Sequence, residues 1–206
     1  MQLHNGTTAF RRPARADFGF TLVELILTVS ILSILMVAVA PAFTTLVNNN
    51  RLSSAANEMV GSLQLARAEA MRRNARVVIC RSENPDAASP TCVASKGDWS
   101  GWIAFVDSDR DGEFDATETL IRRHSLGGPV SVLASDAISG AKDRVVFRPD
   151  GRAKTSDHSL LNAKFGVCVA SKYPSENARD VSLAFGSQLA VDRRDGAGKC
   201  TAPGNT

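Results

Sequence analysis

The chain has 206 residues, of which 44% are hydrophobic and 22% are charged, so its composition fits one ordinary globular domain with an added segment. These proportions exclude a collagen-like or wholly disordered chain. Because 24 Lys and Arg residues stand against 21 Asp and Glu residues, the net charge is only +3, and bulk charge gives no indication of nucleic-acid binding.

A long apolar segment near the N-terminus is the first marked feature along the chain. No charged residue occurs between Leu25 and Asn50. Residues 25–47 would form a helix of about 34 Å, which is enough to cross a hydrocarbon core of about 30 Å. The few polar side chains in this segment can donate hydrogen bonds back to helix carbonyls, and they are Thr28, Ser30 and Ser33. We therefore predict a single membrane span within residues 20–47.

The residues in front of the span predict its orientation. Arg11, Arg12 and Arg15 precede it, and only Asp17 opposes their charge. By the positive-inside rule the N-terminus should stay in the cytoplasm and the C-terminal part should be exported to the periplasm. The apolar stretch is longer than a secretory signal and runs on without a small-residue cleavage site, so we expect no cleavage behind it.

Four cysteines follow the span and form an even set, as expected in an oxidising compartment: Cys80, Cys92, Cys168 and Cys200. No Cys-x-x-Cys pair or Cys/His spacing of a zinc site is present. Three pairings are possible, and closure of the shorter loops favours Cys80 with Cys92 and Cys168 with Cys200. Free buried thiols are the alternative.

The junction before the span carries a motif. Gly19 and Phe20 are followed by Thr-Leu-Val-Glu, so that Glu24 lies where the membrane begins and requires a partner for its charge. This order resembles the class III signal of type IV pilins and pseudopilins. The resemblance implies that a prepilin peptidase removes residues 1–19 as a leader and methylates the new amine of Phe20. It also implies that Glu24 pairs with such an amine in a filament neighbour.

Beyond the span, apolar residues recur at spacings of four and three, which predicts an amphipathic second half of the helix over residues 48–76. The predicted buried stripe comprises Leu52, Ala56, Met59, Leu63, Ala66 and Ala70. The stretch from Leu63 to Ala70, followed by Arg73 and the run Val77–Cys80, resembles the GspH/FimT family of minor pilins and pseudopilins. With the N-terminal signal, this resemblance covers the chain strongly to Cys80 and loosely after it.

Eight apolar runs separated by Gly, Pro, Asp and Ser clusters predict short strands after the helix. These runs are Val77–Cys80, Trp102–Val106, Thr119–Arg122, Val130–Leu133, Arg144–Phe147, Phe165–Ala170, Val181–Phe185 and Gln188–Val191. The order predicts an α+β fold of the type IV pilin kind, in which the long helix packs on an antiparallel sheet. Residues 77–206 would form one exported domain, with a mobile tail over residues 195–206.

One acidic segment matches the D-x-D-x-D-G-x5-E spacing of a calcium-binding loop. Its oxygen ligands would be Asp107, Asp109, Asp111, the Glu113 carbonyl and Glu118, with Asp115 acting through water. The flanking segments are predicted strands, whereas the usual loop joins two helices, and Arg110 lowers the local negative charge. A solvated β-hairpin turn is therefore retained as the alternative to calcium.

Catalytic motifs are not evident in the sequence. Outside the predicted leader the imidazoles are His124 and His158, which we interpret as surface residues, and no GxSxG, HExxH, P-loop or GxGxxG motif surrounds them. We expect a structural subunit and no enzyme. The resemblance implies a minor subunit near the tip of a type IV pilus or a type II secretion pseudopilus. Its partners would be other pilins or pseudopilins, the prepilin peptidase and the inner-membrane assembly platform.

A DNA-binding subunit for natural transformation is the alternative function. Some FimT-like proteins bind DNA through a Gly-Arg-x-Arg motif near the C-terminus, but the matching region 185–189 reads Phe-Gly-Ser-Gln-Leu and lacks both arginines. Arg193, Arg194 and Lys199 could supply a substitute phosphate-binding patch, although acidic residues lie among them. A second candidate patch consists of Arg72, Arg73 and Arg76. The sequence therefore does not favour DNA as a partner.

Overall fold

The computed structural model describes residues 19–155 and 157–206. Nearly all of the predicted leader lies outside the described residues. This includes the charged residues from which we predicted the orientation of the span: Arg11, Arg12, Arg15 and Asp17. The chain divides into two compact units, Met1–Ala40 and Pro41–Thr206. The first unit contains the start of the long helix, and the second contains its remainder together with the described strands.

The long helix α1 extends over Leu22–Arg73, close to its predicted bounds. At its start the Thr21 hydroxyl accepts a hydrogen bond of 3.2 Å from a first-turn amide, which caps the helix. At its end Asn74 adopts a φ of 49°, and the Ala75 amide donates to the Ala70 carbonyl at 3.1 Å. This left-handed residue and its hydrogen bonds form a Schellman termination, which explains why the helix ends there.

The first part of α1 is apolar and exposed. Its most apolar window of 18 residues has a mean hydropathy of 2.6, and none of that window is buried. By length and composition, α1 can therefore cross a membrane. As predicted, the hydroxyls of Thr28, Ser30 and Ser33 donate to carbonyls three or four residues earlier, at 2.7 to 2.9 Å. These hydrogen bonds leave few polar groups without a partner on an otherwise apolar surface.

The second part of α1 belongs to the β-rich domain. All six residues of the predicted stripe are buried, and none is more than 1% exposed. They lie in one core cluster with side chains from both sheets of the domain. Burial of a side chain such as Leu52, Met59 or Leu63 contributes about 1.5–3 kcal/mol, so the stripe supplies a substantial share of the domain's stability.

The strands of the described chain form two four-stranded sheets and not the single sheet that we expected from the sequence. In chain order the strands are β1 (Val77–Arg81), β2 (Gly101–Val106), β3 (Thr119–Ser125), β4 (Val130–Ala134), β5 (Arg144–Phe147), β6 (Ala163–Val169), β7 (Ala178–Ala184) and β8 (Gln188–Arg194). The first sheet has the order β3-β2-β1-β5, the second has the order β4-β6-β7-β8, and all neighbours are antiparallel. The division arises because β5 returns to pair with β1, whereas β4 pairs with β6.

Strands β1 and β2 of the first sheet are buried on both faces, whereas β3 at its edge is partly exposed. Val77 and Ile79 point into the main core, whereas Val78 and Cys80 belong to a second, smaller apolar cluster. Phe114, from the acidic loop between β2 and β3, packs against that second cluster and lies 5.3 Å from Phe105 between ring centroids. The acidic loop is thus attached to the sheet by an apolar side chain as well as by its ends.

Both disulfide pairings favoured by loop closure are present. Cys80 is bonded to Cys92 and Cys168 to Cys200, each with a Cα–Cα distance of 5.6 Å, which is an ordinary disulfide separation. The first bridge closes the loop that follows β1. The second ties the C-terminal segment to β6.

The prediction of a mobile C-terminal tail is wrong. Pro203 is buried, and its ring lies where a side chain at Gly166 would be. The Asn205 side chain accepts a hydrogen bond of 3.0 Å from the Ala137 amide, at the short helix α2 (Asp136–Ser139). The Thr206 hydroxyl donates to the Ala163 carbonyl at 2.9 Å. The tail is polar in sequence but is held by these contacts in addition to its disulfide.

Candidate functional sites

The residues predicted to take part in processing and assembly lie at the start of α1. Gly19 and Phe20 precede the helix without regular secondary structure; Phe20 is 79% exposed, and, chain neighbours aside, no described atom comes within 4 Å of the position of a Cβ at Gly19. Glu24 lies in the first helical turn, where its negative charge interacts favourably with the helix dipole. No ionic partner for Glu24 is found among the residues that the structure describes. Within the described part of the chain, the bond between Gly19 and Phe20 is thus left uncovered.

The acidic loop occupies residues 107–118 and joins β2 to β3. Asp107, Asp109 and Glu118 come together, with one carboxylate oxygen from each within 4.8 Å of the others. Asp107 and Glu118 are only 2% and 9% exposed. Burial raises the pKa of Glu118, because the charged form loses water.

Backbone hydrogen bonds shape the acidic loop. Asp109 and Asp111 each accept an amide N–H two residues ahead, at 3.1 and 2.7 Å, and Asp107 accepts the Gly112 N–H at 3.3 Å. Gly112 has a φ of 77°, the left-handed conformation that the sequence motif requires at this turn. Asp111 lies outside the three-carboxylate group, and the Asp115 carboxylate accepts hydrogen bonds from Thr117, which lower its pKa.

Two arginines, not anticipated from the sequence, also contact the acidic loop. Arg76 Nε lies 2.7 Å from the buried Asp107 Oδ2. Arg144 Nη1 donates to the Gly112 carbonyl at 2.8 Å, and its Nη2 pairs with Glu113 Oε1 at 2.7 Å. The Glu113 side chain thus binds Arg144, whereas we had assigned only the Glu113 carbonyl a role. No local sequence signal connects these residues, since Arg144 lies more than 30 positions beyond the loop residues that it contacts.

The predicted DNA patch is largely neutralised by carboxylates. Arg194 Nε lies 2.8 Å from Asp180 Oδ2, and Arg193 Nη1 lies 3.4 Å from Glu176 Oε2. Lys199 follows β8 in the C-terminal segment. Because two of the three cations have acidic partners, the geometry, like the sequence, does not favour a phosphate-binding surface here.

The two histidines differ from each other in environment. His158 is exposed, as we expected for both. His124 on β3 is only partly exposed: its ring lies 4.4 Å from the Trp102 ring, and its Nδ1 lies 3.5 Å from Glu58 Oε1. Burial lowers the pKa of His124, with Glu58 acting in the opposite direction. His124 is therefore a partly buried surface residue, with its side chain 28% exposed, and it packs against Trp102 of the core.

Arg81 is a structural residue that we missed in the sequence. Its side chain is 4% exposed, and its Nε lies 3.1 Å from Oδ2 of Asp143, whose side chain is fully buried. The guanidinium also donates to the carbonyls of Ser95 and Asp98, in the loop that Cys92 bridges to β1. Arg81 thus connects the end of β1 with the disulfide loop and with the turn before β5. A charged residue at the end of an apolar run was the only available signal.

Comparisons with known proteins agree with the features at the N-terminus and in the β-rich domain. The family described as type II transport protein GspH matches residues 55–187, and the prokaryotic N-terminal methylation motif matches residues 14–40. A comparison with curated proteins finds no match. Two crystal forms of the type IV minor pilin FimU of Pseudomonas aeruginosa PAO1 are similar in structure. The first form shares 20% identity with this chain at a TM-score of 0.49, and the match covers 70% of this chain and 90% of the FimU chain. The second form shares 21% identity at a TM-score of 0.47, and the match covers 68% of this chain and 92% of the FimU chain.

Proposed function

Because the chain belongs to the GspH family and carries the prokaryotic N-terminal methylation motif, it is a minor pilin or pseudopilin subunit. We propose that it is processed at Gly19–Phe20, anchored in the inner membrane by α1 and then assembled near the tip of its filament. It assembles with other pilins or pseudopilins. The observation that carries the proposal is the coincidence of the methylation motif, residues 14–40, with an exposed Gly19–Phe20 junction and an apolar helix that continues into a packed domain.

Processing is the first step that the arrangement supports. The prepilin peptidase would hydrolyse the peptide bond between Gly19 and Phe20 and methylate the new α-amine of Phe20. The mature chain would then begin two residues before α1 and lose the basic leader. Before cleavage the leader would hold the N-terminus in the cytoplasm, and the β-rich domain would lie in the periplasm, anchored by one span in the inner membrane.

Assembly is the second step. A carboxylate at the edge of the hydrocarbon core is costly without a counter-charge, and the N-terminal amine of a neighbouring subunit would supply one at Glu24. The exposed apolar side chains of the first part of α1 would pack against the same helices of other subunits once the inner-membrane platform extracts the chain from the lipid. The β-rich domain would form contacts outside the membrane. This role is structural and involves no turnover.

The cleavage site can be tested by mass spectrometry of the full chain from a host that has the peptidase. The expected mature terminus is N-methylated Phe20. Gly19→Ala should allow partial cleavage, whereas Gly19→Leu should block it. Gly61→Leu is the matched control, because a side chain at Gly61 meets open space, and it should be processed normally. An intact Met1 terminus on the wild-type chain would refute the processing step.

The assembly step has a separate test. Glu24→Leu should still insert in the membrane, and more favourably, but should be lost from filaments. Ser30→Leu is the control in the same segment, since the Ser30 hydroxyl only donates back to the Ile26 carbonyl at 2.7 Å. Normal incorporation of Glu24→Leu would remove the proposed role of that carboxylate. Affinity capture of the membrane-extracted chain, with identification of co-purifying subunits, would then decide between a type IV pilus and a type II secretion pseudopilus.

A further inference from the structure

The acidic loop, residues 107–118, holds more negative charge than its protein neighbours balance. Asp107, Asp109 and Glu118 bring three carboxylates to one place. Arg76 neutralises Asp107, but neither Asp109 nor Glu118 has an ionic partner among the described residues. The charge left over is therefore that of two carboxylates, which a divalent cation would compensate.

One buried carboxylate oxygen of the acidic loop has no partner. Glu118 is 9% exposed; its Oε1 accepts the Ser108 N–H at 2.8 Å, and its Oε2 is buried without a hydrogen-bond partner in the described chain. Oδ2 of Asp107 is also buried, but it pairs with Arg76 Nε at 2.7 Å. A buried carboxylate oxygen without a partner costs free energy, and an ion bound between Glu118 and the neighbouring carboxylates would satisfy it.

We propose that residues 107–118 bind one calcium ion, with Asp107, Asp109 and Glu118 as the carboxylate ligands. Asp111 and the Glu113 carbonyl would add further oxygens. Only one oxygen each of Asp109 and Asp111 accepts a backbone N–H, which leaves the other oxygen of each for the ion. The set consists of oxygens alone, which hard cations prefer over transition metals.

The number and kind of ligands favour calcium over magnesium. Calcium takes about six to eight oxygen ligands in a flexible geometry, and a carboxylate can bind it through both of its oxygens. Magnesium requires a near-ideal octahedron and keeps several of its waters, so a loop that supplies most of the ligands does not suit it. The acidic loop would offer oxygens from Asp111 and Glu113 as well as from the three carboxylates, which is the arrangement that calcium prefers.

The position of the site gives the ion a structural role. The loop joins β2 to β3, and Arg76 immediately precedes β1, so the ion would connect three consecutive strands of the first sheet at one edge. Unlike the helix-flanked calcium loop, this one would hold a β-hairpin. The site is independent of the processing signal and of the assembly surface, and its test does not depend on them.

Calcium titration of the full chain in detergent micelles tests the proposal. Isothermal titration with calcium chloride is expected to give one site per chain. The Kd should be about 10⁻³ M or tighter, since extracellular calcium modules bind the ion with a Kd of about 10⁻⁴–10⁻³ M. Calcium should also raise the temperature at which the emission of the buried Trp99 and Trp102 changes. Magnesium chloride at the same concentration should bind at least about tenfold more weakly.

Isosteric variants identify the ligands. Asp109→Asn and Glu118→Gln should each raise the calcium Kd at least about tenfold. Asp195→Asn is the control, because Asp195 also accepts an amide N–H two residues ahead, at 2.7 Å, but in a turn far along the chain. It should bind calcium as the wild type does. Asp109 is exposed, so its variant should fold, and an unchanged near-ultraviolet circular dichroism spectrum will verify this.

Three results would overturn the proposal: no heat and no change in unfolding temperature at millimolar calcium, wild-type affinity in Asp109→Asn, or equal affinity for magnesium. The first would leave only the solvated hairpin turn. The second would place any bound ion elsewhere on the chain. The third would remove the argument from the number and kind of ligands.

Discussion

Replacing Arg81 by Met should strongly destabilise the β-rich domain. The side chains of Arg81 and Asp143 are 4% and 0% exposed, so their ion pair is buried and a surface pair is not the right comparison. Removal of one partner leaves the other charge in a poorly solvated site, which costs about 3–5 kcal/mol, against about 0–1 kcal/mol for an exposed pair. At about 2–4 °C per kcal/mol for a domain of this size, the unfolding temperature should fall by roughly 6–20 °C.

The stability lost in Arg81→Met should be larger at neutral pH than in acid. Burial raises the pKa of Asp143 from its usual value of 3.8, although Arg81 acts against this. An acid with a raised folded-state pKa binds protons more tightly in the folded state, so its contribution to stability decreases as the pH rises through that range. In Arg81→Met the carboxylate has lost its counter-charge. The destabilisation should therefore be greatest at neutral pH and smaller near about pH 4, where Asp143 can protonate.

Thermal and urea unfolding of the full chain in detergent, followed by tryptophan emission, measures this effect, since both Trp99 and Trp102 are fully buried. Arg123→Met is the matched control: Arg123 is exposed on β3, and its replacement should change stability by less than about 0.5 kcal/mol. In a double-mutant cycle with Asp143→Asn, the coupling should exceed about 1 kcal/mol. A change below about 1 kcal/mol in Arg81→Met, or additive single effects, would refute the reasoning.

Three further expectations concern other parts of the β-rich domain. Gly112→Ala should cost about 1–3 kcal/mol in urea unfolding, because φ is 77° there and a Cβ would collide with the Arg144 guanidinium. Acidification below about pH 6.5 should lower the unfolding temperature, because burial lowers the pKa of His124 in the folded state and the imidazole takes up a proton on unfolding. His124→Gln should reduce this dependence of the unfolding temperature on pH. Thiol labelling should detect no free cysteine until reductant is added, and Cys168→Ser with Cys200→Ser should cost about 2–5 kcal/mol.

Local patterns in the sequence predicted the elements well. The spacing of Leu52, Met59 and Leu63 identified the buried face of α1, because a helix repeats every 3.6 residues whatever it packs against. Each of the eight predicted strands overlaps an observed one, since an apolar run between turn residues is itself a local signal. The short helix α2 was missed, because four residues are too few for a helical period to show.

Long-range pairing could not be predicted in this way. The division into two sheets depends on β5 joining β1, and nothing in the period-2 pattern of a strand specifies its neighbour. The pair of Arg81 and Asp143 joins residues 62 positions apart, and the hydrogen bond of Thr206 reaches a carbonyl 43 positions earlier. The candidate site could be predicted in part from the sequence. The spacing from Asp107 to Glu118 indicated the acidic loop, but no pattern indicated the arginines around it.

The docking of α1 also determines where a water-soluble version of this protein should begin. Asn48 is 6% exposed, and its Nδ2 donates to the Tyr173 carbonyl at 2.6 Å. Arg179 Nη2 donates to the Asn49 side-chain oxygen at 2.8 Å. A fragment starting at Arg51 keeps the apolar stripe but discards both asparagines, which uncovers the backbone of the Tyr173 turn and the guanidinium of Arg179. A start before Asn48 retains the docked face in full, and fragments for crystallisation or binding assays should include it.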